Sequence, residues 1–267
     1  MTTLSFGMPS LLEAGGLEDN AALCRQLGLR FVELNMNLPD YQCGMLTAQQ
    51  LCETGRKYGV FFTFHLDEQL DPCSFNPLAA RAYRQTAVQT LLLAQAAGSP
   101  VVTMHMAQGV YFTLPEKKAY LYEQYFARYQ QGLLAFRQAV EQAARGENGP
   151  LLCIENTNWA NAPFIRKGVA FLLQSNRFAL TLDTGHSWAA NRADEGFMLR
   201  TGRLRHMHLH DAQNRRDHLP LGSGALTKGE YLNLAGQYHC RIVLETKTIA
   251  GLTQSVQWLR QNGYLAL

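Results

Sequence analysis

Short apolar runs rich in Val, Ile, Leu, Phe and Thr alternate along this chain with longer stretches whose apolar residues recur at helical spacing. The runs are 4–9 (LSFGMP), 31–36 (FVELNM), 61–66 (FFTFHL), 101–106 (VVTMHM), 151–156 (LLCIEN), 178–183 (FALTLD), 204–210 (LRHMHLH) and 241–246 (RIVLET). Their length and composition predict strands buried on both faces, as in a parallel sheet. Helix punctuation fills the gaps. Thr47 offers an N-cap and Gly59 a stop, a helix from Pro77 ends at Gly98, a long one spans 117–145 before Gly146, and a last one spans 252–262 before Gly263. Strand then helix, eight times over, predicts an α/β fold, a single (β/α)8 TIM barrel occupying 1–267 as one domain. A doubly wound open sheet is the second choice; neither GxGxxG nor GxxxxGK[ST] occurs to favour it.

In such barrels the chemistry sits at the C-terminal ends of the strands, so polar residues there carry information. Glu33 lies in the second run, His65 and His105 near the ends of the third and fourth, and Glu155 near the end of the fifth. Asp183 ends the sixth with His186 just beyond, His208 to Asp211 end the seventh, and Glu245 lies near the end of the eighth. Carboxylates and imidazoles converging from several strands bind divalent cations such as Zn, Mn, Co or Mg, and no Cys competes at these positions. Burying three carboxylates without compensation would be prohibitive, so a cation among them is the expectation. Without one, a carboxylate pair could act as acid and base on a glycosidic bond; the histidines favour the metal. Four of the eight His fall between 206 and 218. Strand alternation would turn His206, His208 and His210 to one face. His206 and His239 read as packed or hydrogen-bonded imidazoles. Glu33 reads as either a substrate-facing acid or a structural one, and Trp159 and Trp188 as pocket walls or loop packing.

Composition narrows the partners. Lys and Arg number 24 against 21 Asp and Glu, a net charge of +3, which argues against a dedicated nucleic-acid binder. Six Cys without a CxxC pair read as reduced thiols of a cytoplasmic protein. The N-terminal residues lack a basic stretch followed by an apolar one, which argues against a secretory signal, and no apolar run approaches the ~20 residues that cross a bilayer. The oligomeric state, monomer or homo-oligomer, stays open.

The motifs FHL (64–66), the His105 strand end, IEN (154–156), LDTGHS (182–187), MHLHD (207–211), HLPLGSG (218–224) and LET (244–246) together resemble the xylose isomerase-like TIM-barrel superfamily, nearly end to end and in order. That group includes sugar-phosphate isomerases and epimerases and the apurinic-site endonuclease family 2. The resemblance implies one to three divalent metal ions. Glu155, Asp183, His208 and Glu245 match the shared metal quartet, and His65 and His105 match the pair that holds a second metal with bridging Glu155. His186 and His218 match two of three ligands of a third. The remaining ligand of that site is an Asp two residues before the second His, where this chain has Arg216, so the third site would depend on Asp217 entering from a shifted register. His210 and Asp211 fall behind the ligands.

Three functions use this set differently. An isomerase or epimerase of a small sugar, polyol or sugar phosphate would work through a metal-stabilised enediolate. Glu155 and Glu245 would move the proton, His186 would hold a hydroxyl, and Arg216 (or Arg215), Glu33 and Trp188 would contact substrate. A zinc phosphodiesterase of the apurinic-site endonuclease type would use two or three ions instead, and a non-catalytic sugar-binding barrel would use the site only to bind. The isomerase or epimerase is the reading carried forward.

Overall fold

The computed structural model describes residues 4–146, 149–157 and 159–266. All eight apolar runs become strands: β1 (Ser5–Pro9), β2 (Phe31–Asn35), β3 (Phe61–His65), β4 (Val101–Met104), β5 (Leu151–Glu155), β6 (Phe178–Asp183), β7 (Leu204–Leu209) and β8 (Arg241–Leu244). They close into a parallel barrel in which each strand pairs with its neighbours in sequence and β8 pairs back onto β1. The intervening helices are α1 (Leu17–Gln26), α2 (Ala48–Tyr58), α3 (Pro77–Ala96), α4 (Leu121–Gln124), α5 (Phe126–Ala143), α6 (Pro163–Leu172), α7 (Thr184–Ala189), α8 (Glu195–Arg200), α9 (Lys228–Gln237) and α10 (Ile249–Gln261). The fold is a single (β/α)8 TIM barrel, as the alternation predicts.

The reason lies in a two-sided strand pattern. Val32, Leu34, Phe62, Phe64, Ile154, Leu180, Met207 and Ile242 are buried in one continuous apolar core with helix residues such as Leu51, Leu91, Phe136, Val169 and Leu252. Several alternate positions hold small or polar groups: Thr103 and Thr181 meet hydroxyl to hydroxyl at 3.3 Å. Gly7 makes room for an aromatic, since a Cβ there would lie 2.5 Å from the Phe31 ring. Thr47 caps α2 by accepting from Gln50 N, and Gly59 ends it in the left-handed conformation at φ 67°.

Two departures concern the loops that follow the C-terminal ends of the strands. The helix expected over 117–145 divides: Lys118–Tyr120 pairs antiparallel with Tyr111–Thr113, and only then do α4 and α5 begin. Aromatic and β-branched residues flanking a Pro115-Glu116 turn outweigh the helical spacing, and Lys118 Nζ sits 4.3 Å over the Tyr111 ring. After β7, Asp211–Gln213 and Arg216–Leu219 form a second hairpin, where Asn214 takes φ 57° at the turn.

All six cysteines are free thiols, four of them buried. Among the described residues no helix is long and apolar enough to cross a membrane.

Candidate metal centre

The barrel register sets the site. Asp183 of β6 pairs with His208 of β7, which pairs with Val243 of β8, so Asp183 and His208 reach the mouth at one height. Glu155 ends β5, and Glu245 extends β8 by one residue, its amide donating to Leu209 O at 3.1 Å. Their side chains meet around one nitrogen. His208 Nδ1 lies 3.1 Å from Glu245 Oε2, 3.3 Å from Glu155 Oε2 and 4.0 Å from Asp183 Oδ2. Yet His208 Nδ1 and Glu245 Oε2 are buried atoms without a hydrogen bond, as is His208 Nε2, which has only an ion-pair contact, with Glu33. Four ligands around a zinc ion at its usual bond lengths stand ~3.3 Å apart, so these separations match the edges of a coordination polyhedron better than hydrogen bonds. The donor set, three carboxylates and an imidazole, therefore fits a divalent cation.

What lies beneath His208 supports the same assignment. Glu33 Oε1 is 2.8 Å from His208 Nε2, and its Oε2 meets His206 Nε2 at 2.9 Å while accepting from Thr63 Oγ1 at 3.0 Å. A carboxylate on one ring nitrogen leaves the other facing the ligand position, the arrangement by which carboxylates orient metal-bound histidines. Burial alone would raise the Glu33 pKa, but the imidazoles of His208 and His206 hold it well below the usual carboxylate range. Glu155 and Glu245 follow the same balance, burial opposed by His208 together with the other histidines and Lys247.

Glu155 also faces the other side of the mouth. Its Oε2 lies 3.2 Å from His65 Nε2 and 3.3 Å from His105 Nε2, and His105 Nε2 is itself buried without a hydrogen bond. Its Oε1 is 3.3 Å from His186 Nδ1. Burial disfavours charge on His186, but Asp183 and Glu155 push its pKa up to about 10. His210 braces Asp183, with Nε2 3.0 Å from Oδ2, and stacks on His218 with ring centroids 4.4 Å apart. His218 Nε2 lies 3.3 Å from Glu245 Oε1.

This architecture has known relatives. The sequence matches the model of the xylose isomerase-like TIM barrel family over residues 21–262. The chain belongs to that family. Solved structures similar to it include a D-tagatose 3-epimerase-like protein (TM-score 0.74, 20% identity, 97% of this chain and 96% of that one) and an L-ribulose 3-epimerase (0.72, 16%, 98% and 94%). A 3-keto-D-glucoside 4-epimerase from E. coli is a third (0.71, 13%, 97% and 99%). At these identities the likeness concerns the fold. No curated protein matches the chain by sequence.

The structure gathers Glu155, Asp183, His208, Glu245, His65, His105 and His186 into one mouth, with His218 at its edge. It does not assemble the third set implied by the resemblance. Among the described residues His186 groups with Glu155 and Asp183, whereas His218 groups with His210 and Glu245, and no trio of ligand atoms joins His186 to His218. Asp217 turns to its neighbour instead, its Oδ1 3.0 Å from His218 Nδ1. Glu33, expected as either a substrate-facing or a structural acid, is buried beneath the centre with both its oxygens taken by His206, His208 and Thr63. His206 is correspondingly more than packing. Trp159 is fully buried, its ring against Phe197. Trp188 and Arg216 line a separate cavity beside the mouth.

Sequence reasoning passed over Asn156 and Lys247. Asn156 exchanges hydrogen bonds with the Asp183 backbone, at 2.7 Å from Asp183 N and 3.1 Å to Asp183 O, and its own carbonyl faces His186 Nδ1 at 3.0 Å. Lys247 Nζ donates to Glu245 Oε1 at 2.9 Å. Their positions, one residue past Glu155 and two past Glu245, were the available signal.

Proposed function

We propose that this protein is a divalent-metal-dependent isomerase or epimerase of a small sugar, polyol or sugar derivative. The observation that carries the reading is the convergence of Glu155, Asp183, His208 and Glu245 on a buried nitrogen that Glu33 orients from behind. When bound, the cation supplies Lewis-acid polarisation of adjacent carbonyl and hydroxyl oxygens of the sugar. Glu155 and Glu245 stand on different strands around the centre and serve as the base that takes the proton from carbon and the acid that returns it. Lys247 on Glu245 Oε1 favours the ionised form of that carboxylate, the form a base requires. His186, charged and fixed to the Asn156 carbonyl, donates to a substrate hydroxyl. The family and the sugar epimerases among similar folds agree with this chemistry.

A second reading has one specific observation in its favour. His65 and His105 both face Glu155, which would let Glu155 bridge two zinc ions, as a phosphodiesterase of the apurinic-site endonuclease type would need. The separation of His186 from His218 opposes it.

Metal analysis combined with deuterium exchange decides between them. Incorporation of solvent deuterium at a carbon next to the carbonyl of a ketose panel, followed by NMR, is expected with about one ion per chain. Glu155→Gln and Glu245→Gln should each abolish exchange. Cleavage of abasic-site DNA with two or more zinc ions, and no exchange into any sugar, would overturn the proposal.

A further inference from the structure

Glu245 presents its two oxygens to different surroundings. Oε2 points to the centre, 3.1 Å from His208 Nδ1, and is buried without a hydrogen bond. Oε1 is held from two other segments: Lys247 Nζ donates to it at 2.9 Å from the stretch after β8, and His218 Nε2 lies 3.3 Å away on the 211–219 hairpin. The last torsion of a glutamate is soft, so whatever holds one oxygen decides where the other points.

His218 is itself fixed by several restraints. Its Nδ1 lies 3.0 Å from Asp217 Oδ1, and its ring stacks on His210 with centroids 4.4 Å apart and planes 4° from parallel. Its amide donates to His210 Nδ1 at 2.8 Å. Its backbone takes φ 52°, a left-handed conformation that is unfavourable for residues other than glycine and gathers at sites that need one geometry. The hairpin in turn is seated on α7, where a Cβ on Gly185 would stand 3.0 Å from Asp217 Cβ.

The same geometry opposes a ligand role for His218. Among the described residues the one trio of ligand atoms that includes His218 also takes in His210 and Glu245. His210 has neither nitrogen free, since Nε2 lies 3.0 Å from Asp183 Oδ2 and Nδ1 accepts from the His218 amide. Glu245 Oε1 already accepts from an ammonium, which would repel a cation placed beside it.

We propose that His218 is a positioning residue, oriented by Asp217, which holds Glu245 Oε1 so that Oε2 alone faces the centre. It ties the hairpin after β7 to the carboxylate beyond β8, and Asp217 acts through it instead of serving as a ligand. The clamp rests on the geometry around Glu245. Its consequence for turnover rests on the isomerase or epimerase reading, in which Glu245 moves the proton.

Cobalt(II) binding, measured by competition with a chromophoric chelator and by ions bound per chain, tests the clamp without turnover. His218→Ala should bind the same number of ions as the parent with affinity tenfold or more weaker, as loss of a partner that orients a ligand does. His218→Gln, whose amide nitrogen can donate to Oε1 but is a poor metal ligand, should recover most of that loss. Asp217→Asn should weaken binding by itself and add nothing in the His218→Ala background, because it acts only through His218. As a nearly isosteric change on a side chain that is 46% exposed, it keeps the test open should His218→Ala fail to fold. One ion fewer per chain in His218→Ala, or no recovery in His218→Gln, would make His218 a ligand and overturn the proposal. So would an affinity that His218→Ala leaves unchanged.

Deuterium exchange into a ketose then separates the two readings. The positioning role predicts a kcat lowered tenfold or more in His218→Ala with KM unchanged. If no ketose exchanges while the cobalt series behaves as expected, the isomerase reading falls and the clamp stands. If ketoses exchange while cobalt binding ignores both His218 and Asp217, the clamp falls and the isomerase reading stands.

Discussion

An imidazole becomes a metal ligand when one nitrogen is engaged and the other is left facing a cation. Glu33 supplies the first half of that condition for His208, and the sequence does not show the pairing, because Glu33 lies 175 positions earlier in the chain, an acid in the middle of an apolar strand. Glu33→Gln keeps the shape but removes the charge that His206 and His208 share. Loss of a partner that orients a ligand typically weakens metal binding 10- to 100-fold. Competition with a chromophoric chelator should show that loss, and an unchanged affinity would remove Glu33 from the metal site. Gly185 tests the other brace. A Cβ there would collide with His210 Cε1, and His210 holds Asp183 Oδ2. Overpacking of this kind costs roughly 1–3 kcal/mol, so Gly185→Ala should lower the urea midpoint and weaken metal binding together. A variant that lost neither would show that the His210 ring moves freely.

At the scale of single elements, the chain announces strands better than loops. Each barrel strand is a short apolar run with an obligatory inner and outer face, and the ends of those runs carry the acids and imidazoles. That is why Glu155, Asp183, His208 and Glu245 could be named before any coordinates. The hairpin at 111–120 was hidden because Lys117 onward also has helical spacing, and only the pairing of Tyr111 with Tyr120 settles the competition. The separation of His186 from His218 was hidden for a different reason: it depends on which way a hairpin tip turns, which residue identity does not encode. Helix starts are more legible, and α2 gives a measurable case. Thr47 Oγ1 accepts from Gln50 N at 3.2 Å, and Gln50 Oε1 accepts from Thr47 N at 2.9 Å. Thr47→Ala should destabilise the fold by about 1 kcal/mol, read from the urea midpoint, and Thr47→Ser should recover most of it. Equal loss in both variants would place the effect in packing and not in the cap.

For the whole molecule, the barrel concentrates its unfavourable charge in one place. Glu33, Glu155 and Asp183 are buried within a few side chains of one another, with Glu245 mostly buried beside them. Without a cation the histidines are the groups that can compensate this charge: burial disfavours it on each of them, but the neighbouring carboxylates raise the pKa of His65, His186, His208 and His210 against that desolvation. A cation that binds only the folded state relieves this arrangement and stabilises the fold by mass action, about 2.7 kcal/mol at a free concentration 100 times Kd. For a chain of this size that corresponds to a rise in Tm of roughly 5–10 °C. Removal of metal with a chelator should therefore lower Tm by that amount, and adding back zinc, manganese, cobalt or magnesium one at a time should restore it in the order of their affinities for the site. Asp183→Asn supplies the control. It keeps the size of the side chain and its place in β6 but removes one ligand charge, so its Tm should respond weakly to chelator and metal alike. If the parent protein showed no change in Tm on chelation while its metal content fell to zero, the buried carboxylates would be balanced by histidines alone, and the cation would have to be dropped from the account of the fold.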